Sequence, residues 1–228
     1  MQLNADFSQR VAVHGAEQPW TPSPIAGVER RMLDRVGGEV ARATSLVRYA
    51  PESRFAAHTH DGGEEFLVLE GVFCDEHGDF PPGCYVRNPP TSRHTPGSKA
   101  GCIIFVKLWQ FDPHDRTQVK IDTAAMPFGS IPDRPGLELM PLFKNAHEEV
   151  RLERWAPNSE VVLPLPGGLE LLVLSGGFVE GGDSFKPQSW LRLPAGATLR
   201  ARAAATGCRL WAKLGHLAQV VSTPPPGR

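Results

Sequence analysis

Cysteine is scarce in this sequence, and no two cysteines stand at CxxC spacing. The 228 residues contain four, namely Cys74, Cys84, Cys102 and Cys208. Small secreted domains held together by disulfides are dense in cysteine, and zinc ribbons and redox motifs use CxxC pairs. The sequence therefore argues against both classes, and we expect four reduced thiols.

Long apolar runs and an excess of one charge are also missing. No stretch approaches the roughly 18 apolar residues of a membrane helix, and the start, MQLNADFSQRVAVHG, lacks the apolar core of a signal peptide. Lysine and arginine number 24 against 25 acidic residues, a formal net charge of −1. A basic surface for nucleic acid or an anionic membrane is therefore not indicated. We expect a cytoplasmic protein with no direct nucleic-acid partner and no membrane partner.

Glycine and proline are abundant, with 23 and 22 residues scattered between short apolar runs. Runs such as LVRYA, EEFLVLEGVF, CYVRN and GCIIFVKLWQF are separated by turn signals about every 8 to 12 residues, which is typical of an antiparallel sandwich or barrel. Residues 28–36 fit a helical period as well as a strand before Gly37 and Gly38. The final STPPPGR is typical of an unstructured tail.

An internal repeat organises the chain. EEFLVLEGVF aligns with LELLVLSGGF, so that Gly71 corresponds to Gly176 at an offset of 105 residues. Pro89 and Pro194 keep this offset, and GCIIFVKL aligns with GCRLWAKL at an offset of 106. Two similar units of about 100 residues, the size of a small domain, thus follow each other. We place them at 1–122 and 123–228.

Four metal-ligating side chains cluster in the first unit. His58 and His60 are two residues apart, so in a strand both point to one face. The Asp-Gly-Gly turn after them brings Glu64 to the start of the adjacent strand, and His94 follows the Pro-Pro turn of a later one. Three imidazoles and one carboxylate suit a divalent transition ion with coordination positions left open for water or a substrate. The pattern predicts a metal site at His58, His60, Glu64 and His94.

The second unit has leucine at each of these positions, and leucine binds no metal. The four equivalents are Leu163, Leu165, Leu169 and Leu199. We therefore expect a dry core in this unit and one metal ion per chain, zinc or iron, with manganese or nickel as further candidates. The comparison also selects Glu64 over its neighbour as the ligand, because Glu65 persists as Glu170 where the metal ligands are gone.

The motifs resemble those of the cupin superfamily. His58, His60, Glu64 and Gly71 fit the first cupin motif, and Gly83 to His94 fit the second apart from Thr91, where that motif has glycine, and Ser98, where it has asparagine. Residues 44–111 more closely resemble the cupin-like domain of the anti-sigma factor ChrR. The resemblance implies an all-β bicupin of two tandem jelly-roll barrels, a metal-binding cupin at 1–122 and a degenerate one at 123–228. It also implies a zinc-type site at the four ligands and a response to reactive oxygen species.

Three functions are compatible with these residues. The first is a regulatory or sensory protein of the anti-sigma type, with the sigma-binding domain absent from this chain and a separate protein partner. The alternative is a metal-dependent oxidoreductase, such as an iron dioxygenase, with a small-molecule substrate. The third is a binding protein with a structural metal. Residues 64–71 are apolar on both strand faces, so we also expect a second barrel or a second copy of the chain, as in a homodimer, to cover this strand. The sequence assigns no catalytic residue.

Overall fold

The computed structural model describes residues 1–132 and 134–220, within which the chain forms 23 strands and two short 3₁₀ turns. Up to residue 125 the elements are β1 (Gln2–Leu3), β2 (Val11–His14), a 3₁₀ turn (Gly15–Glu17), β3 (Thr21–Pro22), β4 (Val28–Gly37), β5 (Ala41–Tyr49), β6 (Ser53–Arg54), β7 (His58–His60), β8 (Glu64–Gly71), β9 (Phe73–Asp75), β10 (Gly78–Phe80), β11 (Cys84–Asn88), β12 (Ser92–His94), β13 (Gly97–Ser98), β14 (Cys102–Leu108), β15 (Val119–Asp122) and a second 3₁₀ turn (Thr123–Ala125). The elements that follow are β16 (Gly129–Ser130), β17 (Leu137–Lys144), β18 (Glu149–Trp155), β19 (Glu160–Leu165), β20 (Leu169–Glu180), β21 (Asp183–Phe185), β22 (Ser189–Leu193) and β23 (Ala197–Leu214). The all-β prediction is confirmed.

The described chain divides into two compact units. The first unit contains residues 1–5 and 19–125, and the second contains residues 6–18 and 126–220. The amino-terminal segment serves both units, because β1 pairs with β4 in the first and β2 pairs with β22 in the second. The sequence-based boundary assigned residues 6–18 to the first unit. Strand β2 takes in the second unit the place that β15 takes in the first, since β22 and β11 are equivalent strands, and its sheet partner lies about 180 residues away along the chain.

In the first unit, a large sheet faces smaller sheets across an apolar core. The large sheet has the order β1-β4-β5-β14-β8-β11-β15, with β3 on β4, and the smaller ones are β10-β9-β13-β6 and β12-β7. Side chains from the large sheet, such as Val47, Phe66 and Ile104, pack with Phe73 and Phe80 of the small one. Between residues 28 and 36 the strand alternative is the observed one, since β4 pairs along its length with β5.

The second unit repeats this pairing in one large sheet of order β16-β17-β18-β23-β20-β22-β2, with β19 on β23 and β21 on β20. The repeat is visible residue by residue, because Gly71 faces Cys102 and Gly176 faces Cys208. Both glycines have a positive φ, +69° and +68°, and a Cβ on either would collide with a neighbouring backbone carbonyl. A backbone bend that excludes side chains thus explains why glycine stands in both copies.

Two further expectations concern the cysteines and the tail. All four cysteines are free; Cys74 is half-buried and the other three are buried. Among the described residues, no helix has the length and apolar character needed to cross a membrane. The whole of the predicted carboxy-terminal tail, residues 222–228, lies outside the described residues.

Candidate metal centre

A two-stranded ribbon carries the three histidines. Strand β7 pairs antiparallel with β12, with His58 opposite His94 and His60 opposite Ser92. Residues that face each other across a strand pair share a face, as do residues two apart along a strand. The three imidazoles therefore project to the same side, although His94 comes 34 residues after His60 in the chain.

The three imidazole rings meet at short distances. One nitrogen from each of His58, His60 and His94 lies within 4.8 Å of the other two. The ring centroids of His60 and His94 are 4.8 Å apart, and those of His58 and His94 are 5.1 Å apart. The Nε2 atoms of His60 and His94 approach to 2.9 Å. Within the described residues this is the one group of three or more histidine, cysteine or acidic side chains close enough to share an ion.

Glu64 completes the group from the adjoining strand. It is the first residue of β8, directly after the Asp-Gly-Gly turn, and it is buried. Its Oε2 lies 3.5 Å from Nε2 of His60 and 3.7 Å from Nε2 of His94. The Nδ2 of Asn88 donates a hydrogen bond of 3.2 Å to the same oxygen and holds the carboxylate in place. The structure thus places Glu64 beside His60 and His94, and His58 joins these two histidines in the group of three imidazoles.

In His94 and His58, the Nδ1 atom makes a hydrogen bond away from the cluster, and this leaves Nε2 as the nitrogen that can bind a metal. The Nδ1 of His94 lies 3.1 Å from Oδ2 of Asp75, and the Nδ1 of His58 lies 3.1 Å from the carbonyl oxygen of Ala56. A carboxylate and a carbonyl only accept hydrogen bonds, so each Nδ1 carries a proton, and in the neutral ring Nε2 is the nitrogen that presents a lone pair. A histidine held by a carboxylate in this way is the usual outer support of a metal ligand.

The donor set fits a transition-metal ion. Two imidazole nitrogens 2.9 Å apart repel each other unless a proton or a cation lies between them. Neighbouring nitrogens bound to one metal at about 2.0 to 2.1 Å would be about 3 Å apart in octahedral geometry, close to this separation. Three imidazoles and a carboxylate are the ligand types that Zn, Fe, Mn and Ni accept.

The pKa shifts in the cluster favour a neutral imidazole at His60 and an ionised carboxylate at Asp75. Burial lowers the pKa of His60, although the charge of Glu64 acts in the opposite direction. Burial also opposes protonation of His94, but the hydrogen bond to Asp75 and the charge of Glu64 outweigh it and raise the pKa of His94. Burial acts to raise the pKa of Asp75, but the hydrogen bonds from His94 and from the backbone of His77, together with the charges of these two histidines, lower it. An ionised Asp75 is the form that orients His94 toward a metal.

Access to the cluster is from the side of His58. Its ring is exposed, whereas His60, Glu64 and His94 are buried. On the inner side the barrel is filled by aromatic side chains: the ring of Phe73 lies 5.8 Å from that of His94 and 5.7 Å from that of Tyr49. A small molecule would therefore reach the centre from solvent past His58.

The second unit holds an apolar cluster at the equivalent place. Leu163 faces Leu199 across β19 and β23, as His58 faces His94 in the first unit. Leu165, Leu169 and Leu199 are at most 2% exposed, and Leu163 packs against them. These positions offer no donor atom to a metal and form part of the core of this unit.

Two functional contacts were missed by sequence reasoning, those of Asp75 and Asn88. Asp75 lies in an acid-rich turn, FCDEHGD, and only the pairing of β9 with β13 brings it near His94.

Glu65 lies on the opposite face of β8 from Glu64, where it accepts a 2.7 Å hydrogen bond from the Tyr85 hydroxyl. Arg87 and Lys107 lie across from Glu65 in the sheet, on its two neighbouring strands.

Comparison with known proteins supports the cupin reading. Residues 8–112 match the family model of the ChrR Cupin-like domain. The fold is similar to that of a Nostoc punctiforme protein described as a "putative dioxygenase", at 16% identity and TM-score 0.76 over 96% of this chain and 88% of that one. It is also similar to YlbA of Escherichia coli (14% identity, TM-score 0.69, 96% and 95%) and to the E. coli pirin YhhW in complex with nickel(II) (14%, 0.63, 91% and 99%). None of the curated proteins matches this chain. The resemblance inferred from the two cupin motifs is confirmed, as is the all-β cupin class of the fold.

Proposed function

We propose that this cupin-fold protein, with its ChrR-like amino-terminal half, is a metal-dependent sensor. In this proposal His58, His60, Glu64 and His94 hold one divalent transition ion, zinc in the first place and iron, manganese or nickel as alternatives. When bound, the metal supplies a Lewis-acidic centre with positions open to water or a small ligand. The observation that carries the proposal is the convergence of three imidazoles and a carboxylate at the end of one barrel.

The exposure of His58 favours a sensing role. It is the one proposed ligand that solvent reaches, and it lies in a strand of three residues. Within the described residues, β7 and β12 pair with each other and with no other strand. An oxidant or ligand that displaces His58 would therefore loosen this ribbon without breaking the large sheet. The ribbon is the element that we propose changes its contact with a protein partner.

The alternative function is an iron-dependent dioxygenase or a related small-molecule oxidoreductase. It is favoured by the likeness to the Nostoc punctiforme protein, which extends over 96% of this chain and so includes both units. The same four side chains suit Fe(II). In that case the substrate would approach from the side of His58, because the aromatic side chains fill the inner side.

Elemental analysis of protein purified without added metal separates the two functions. The sensor predicts about one zinc per chain, no oxygen uptake after loading with Fe(II), and faster amide exchange in residues 58–60 and 92–94 after treatment with hydrogen peroxide. A matched variant, His114→Leu, removes an exposed histidine outside the cluster and should behave like the unaltered protein.

Other outcomes of these measurements contradict the sensor. Native iron together with oxygen uptake would establish the oxidoreductase instead. A chelator that lowers the melting temperature, with neither oxygen uptake nor any response to peroxide, would indicate a metal that is only structural. Sedimentation of the metal-loaded chain tests the separate expectation of a homodimer.

A further inference from the structure

The second unit contains an open cavity of about 710 Å³ that is remote in sequence from the metal ligands. Among the residues that the structure describes, three arginines line it, Arg134, Arg154 and Arg209, together with the acidic residue Glu138. Its apolar lining includes Ile131 and Trp155. Ligand pockets in proteins commonly have volumes of about 300 to 1,000 Å³, so the cavity is large enough for a small organic molecule.

Two of the arginines form an unfavourable pair. Arg154 on β18 lies directly opposite Arg209 on β23. Like charges that face each other across two strands destabilise the sheet unless a counter-ion lies between them. The Nε of Arg209 is buried and has no hydrogen-bond partner in the part of the chain that the structure describes. Burial and the nearby charge of Arg154 both lower the pKa of Arg209.

In the first unit the residue that faces the equivalent arginine across the strand pair is uncharged. There Arg48 faces Ile103, and the carboxylate of Glu29 accepts hydrogen bonds of 2.9 Å and 2.5 Å from Nε and Nη2 of Arg48. In the second unit the register equivalent of Glu29 is Glu138, whose Oε2 is 3.9 Å from Nη1 of Arg154. Across the strand pair itself the second unit thus has two facing cations and a looser counter-ion, whereas in the first unit the cation nearest Arg48 is Arg31 of β4, and both guanidinium groups lie over the Trp20 ring.

An aromatic ring also contacts both guanidinium groups. The Phe128 ring centroid lies 3.8 Å from Cζ of Arg154 and 6.0 Å from Cζ of Arg209. Such stacking holds planar guanidinium groups in a fixed orientation and leaves their N–H edges for a planar acceptor. Carboxylates and phosphates are the groups that a guanidinium binds through two parallel hydrogen bonds.

We propose that this cavity binds a small organic anion, whose carboxylate or phosphate group lies between Arg154 and Arg209 and whose apolar part packs on Ile131 and Pro135. The bound anion supplies counter-charge to the two arginines that face each other across β18 and β23. The proposal goes beyond the sensing role, since it makes the unit without metal ligands a ligand-binding unit. It does not depend on which metal the first unit holds.

Calorimetric titration of the metal-loaded chain with citrate and with inorganic phosphate tests the proposal. We expect saturable binding of at least one of them with a dissociation constant below about 1 mM, and a rise in the melting temperature that saturates with it. Saturation by citrate alone identifies a carboxylate ligand, and saturation by phosphate alone identifies a phosphate ligand. Sodium chloride at equal ionic strength provides the control for simple screening.

Substitution of Arg209 by the residue of the first unit is the sharpest variant. Arg209→Ile should weaken probe binding at least tenfold and, without any probe, raise the melting temperature because the like-charge pair is gone. Arg202→Gln removes an exposed arginine from the same strand, outside this cavity, and should leave the affinity unchanged. If Arg209→Ile fails to fold, Arg209→Lys takes its place in the experiment. It keeps the charge without the planar group and should bind the probe with intermediate affinity.

Three results would overturn the proposal. The first is the absence of saturable binding with both probes. The second is equal affinity in the unaltered chain and in Arg209→Ile, or in Arg209→Lys if that is the variant that folds. The third is a chloride effect as large as that of the probes, which would reduce the observation to charge screening.

Discussion

The two units share a strand register, and they differ most where the first one carries its histidines. In the second unit this region is built from continuous strands, β19 and the 18-residue β23. In the first unit the equivalent stretches are broken into β6 and β7 on one side and β12 and β13 on the other. In the second unit, four leucines lie in an apolar core beneath an uninterrupted pairing of β19 with β23. In the first unit, the four candidate ligands lie where the equivalent strand pairing is interrupted.

The four leucines and the four polar side chains also differ in what they contribute to the stability of their units. A buried leucine stabilises the fold by about 1.5 to 3 kcal/mol through removal of apolar surface from water. Buried imidazoles and a buried carboxylate lose hydration and regain it only through hydrogen bonds or a bound cation. The second unit is therefore stable through its own side chains. In the proposed metal site, a bound cation would supply this compensation in the first unit and so couple its stability to binding.

The largest expected effect is the loss of the metal. His60→Leu places in the first unit the residue that the second unit has at Leu165, so the chain should still fold. It should lose metal affinity by more than about 100-fold, because loss of an outer support alone costs about 10- to 100-fold. Metal content measured by mass spectrometry should fall from about one ion per chain to near zero. His114→Leu is the control and should keep its metal, and retention of metal by His60→Leu would remove that residue from the site.

The next effect compares equivalent positions in the two cores. Leu199→Ala should lower the free energy of unfolding by about 2 to 5 kcal/mol, because it leaves a cavity among buried side chains. His94→Ala, measured in the presence of a chelator, should cost the first unit much less, since His94 then contributes little buried apolar contact. Urea denaturation measures both. Equal costs would show that the metal-free histidines pack as well as the leucines do.

A smaller effect concerns the outer support of His94. Asp75→Asn should reduce metal affinity about 10- to 100-fold, because an amide orients the imidazole less firmly than a carboxylate does. A competition titration against a chelating dye measures it. The counterpart in the second unit is Glu180, whose Oε2 is 2.8 Å from Nη2 of Arg10. Glu180→Gln should leave metal affinity unchanged, and a similar loss in both variants would point to a general change in charge.

The smallest effect concerns one turn. Thr91 has a φ of +75°, and its counterpart Gly196 has +83°. The backbone N–H of each donates to the matching residue of the other strand, His60 and Leu165. Thr91→Gly should stabilise the first unit by about 0.5 kcal/mol, since relief of left-handed strain slightly exceeds the entropy cost of glycine. Gly196→Thr should cost the second unit about 1 to 2 kcal/mol. Shifts in denaturant midpoints measure both, and a stabilising Gly196→Thr would contradict this account.

Much of the fold and of the candidate site could be predicted because the signals are local. His58, His60 and Glu64 lie within seven residues, where the two-residue period of a strand and one turn decide which side chains meet. The offset of 105 residues identified four leucines as the counterparts of the ligands. Asp75 and Asn88 carried no such signal, because their contacts with His94 and Glu64 depend on which strands become neighbours.

Strand period, turn residues and the repeat were thus enough to decide the all-β architecture, the two units and the four ligand candidates, since each is a property of neighbouring or duplicated residues. Only the tertiary structure decided that β2 pairs in the sheet of the second unit, that Asp75 hydrogen-bonds to His94, and that Arg154 lies opposite Arg209. Each of these depends on pairing between distant strands, which is selected by the packing of the whole unit and leaves no periodic trace in the chain.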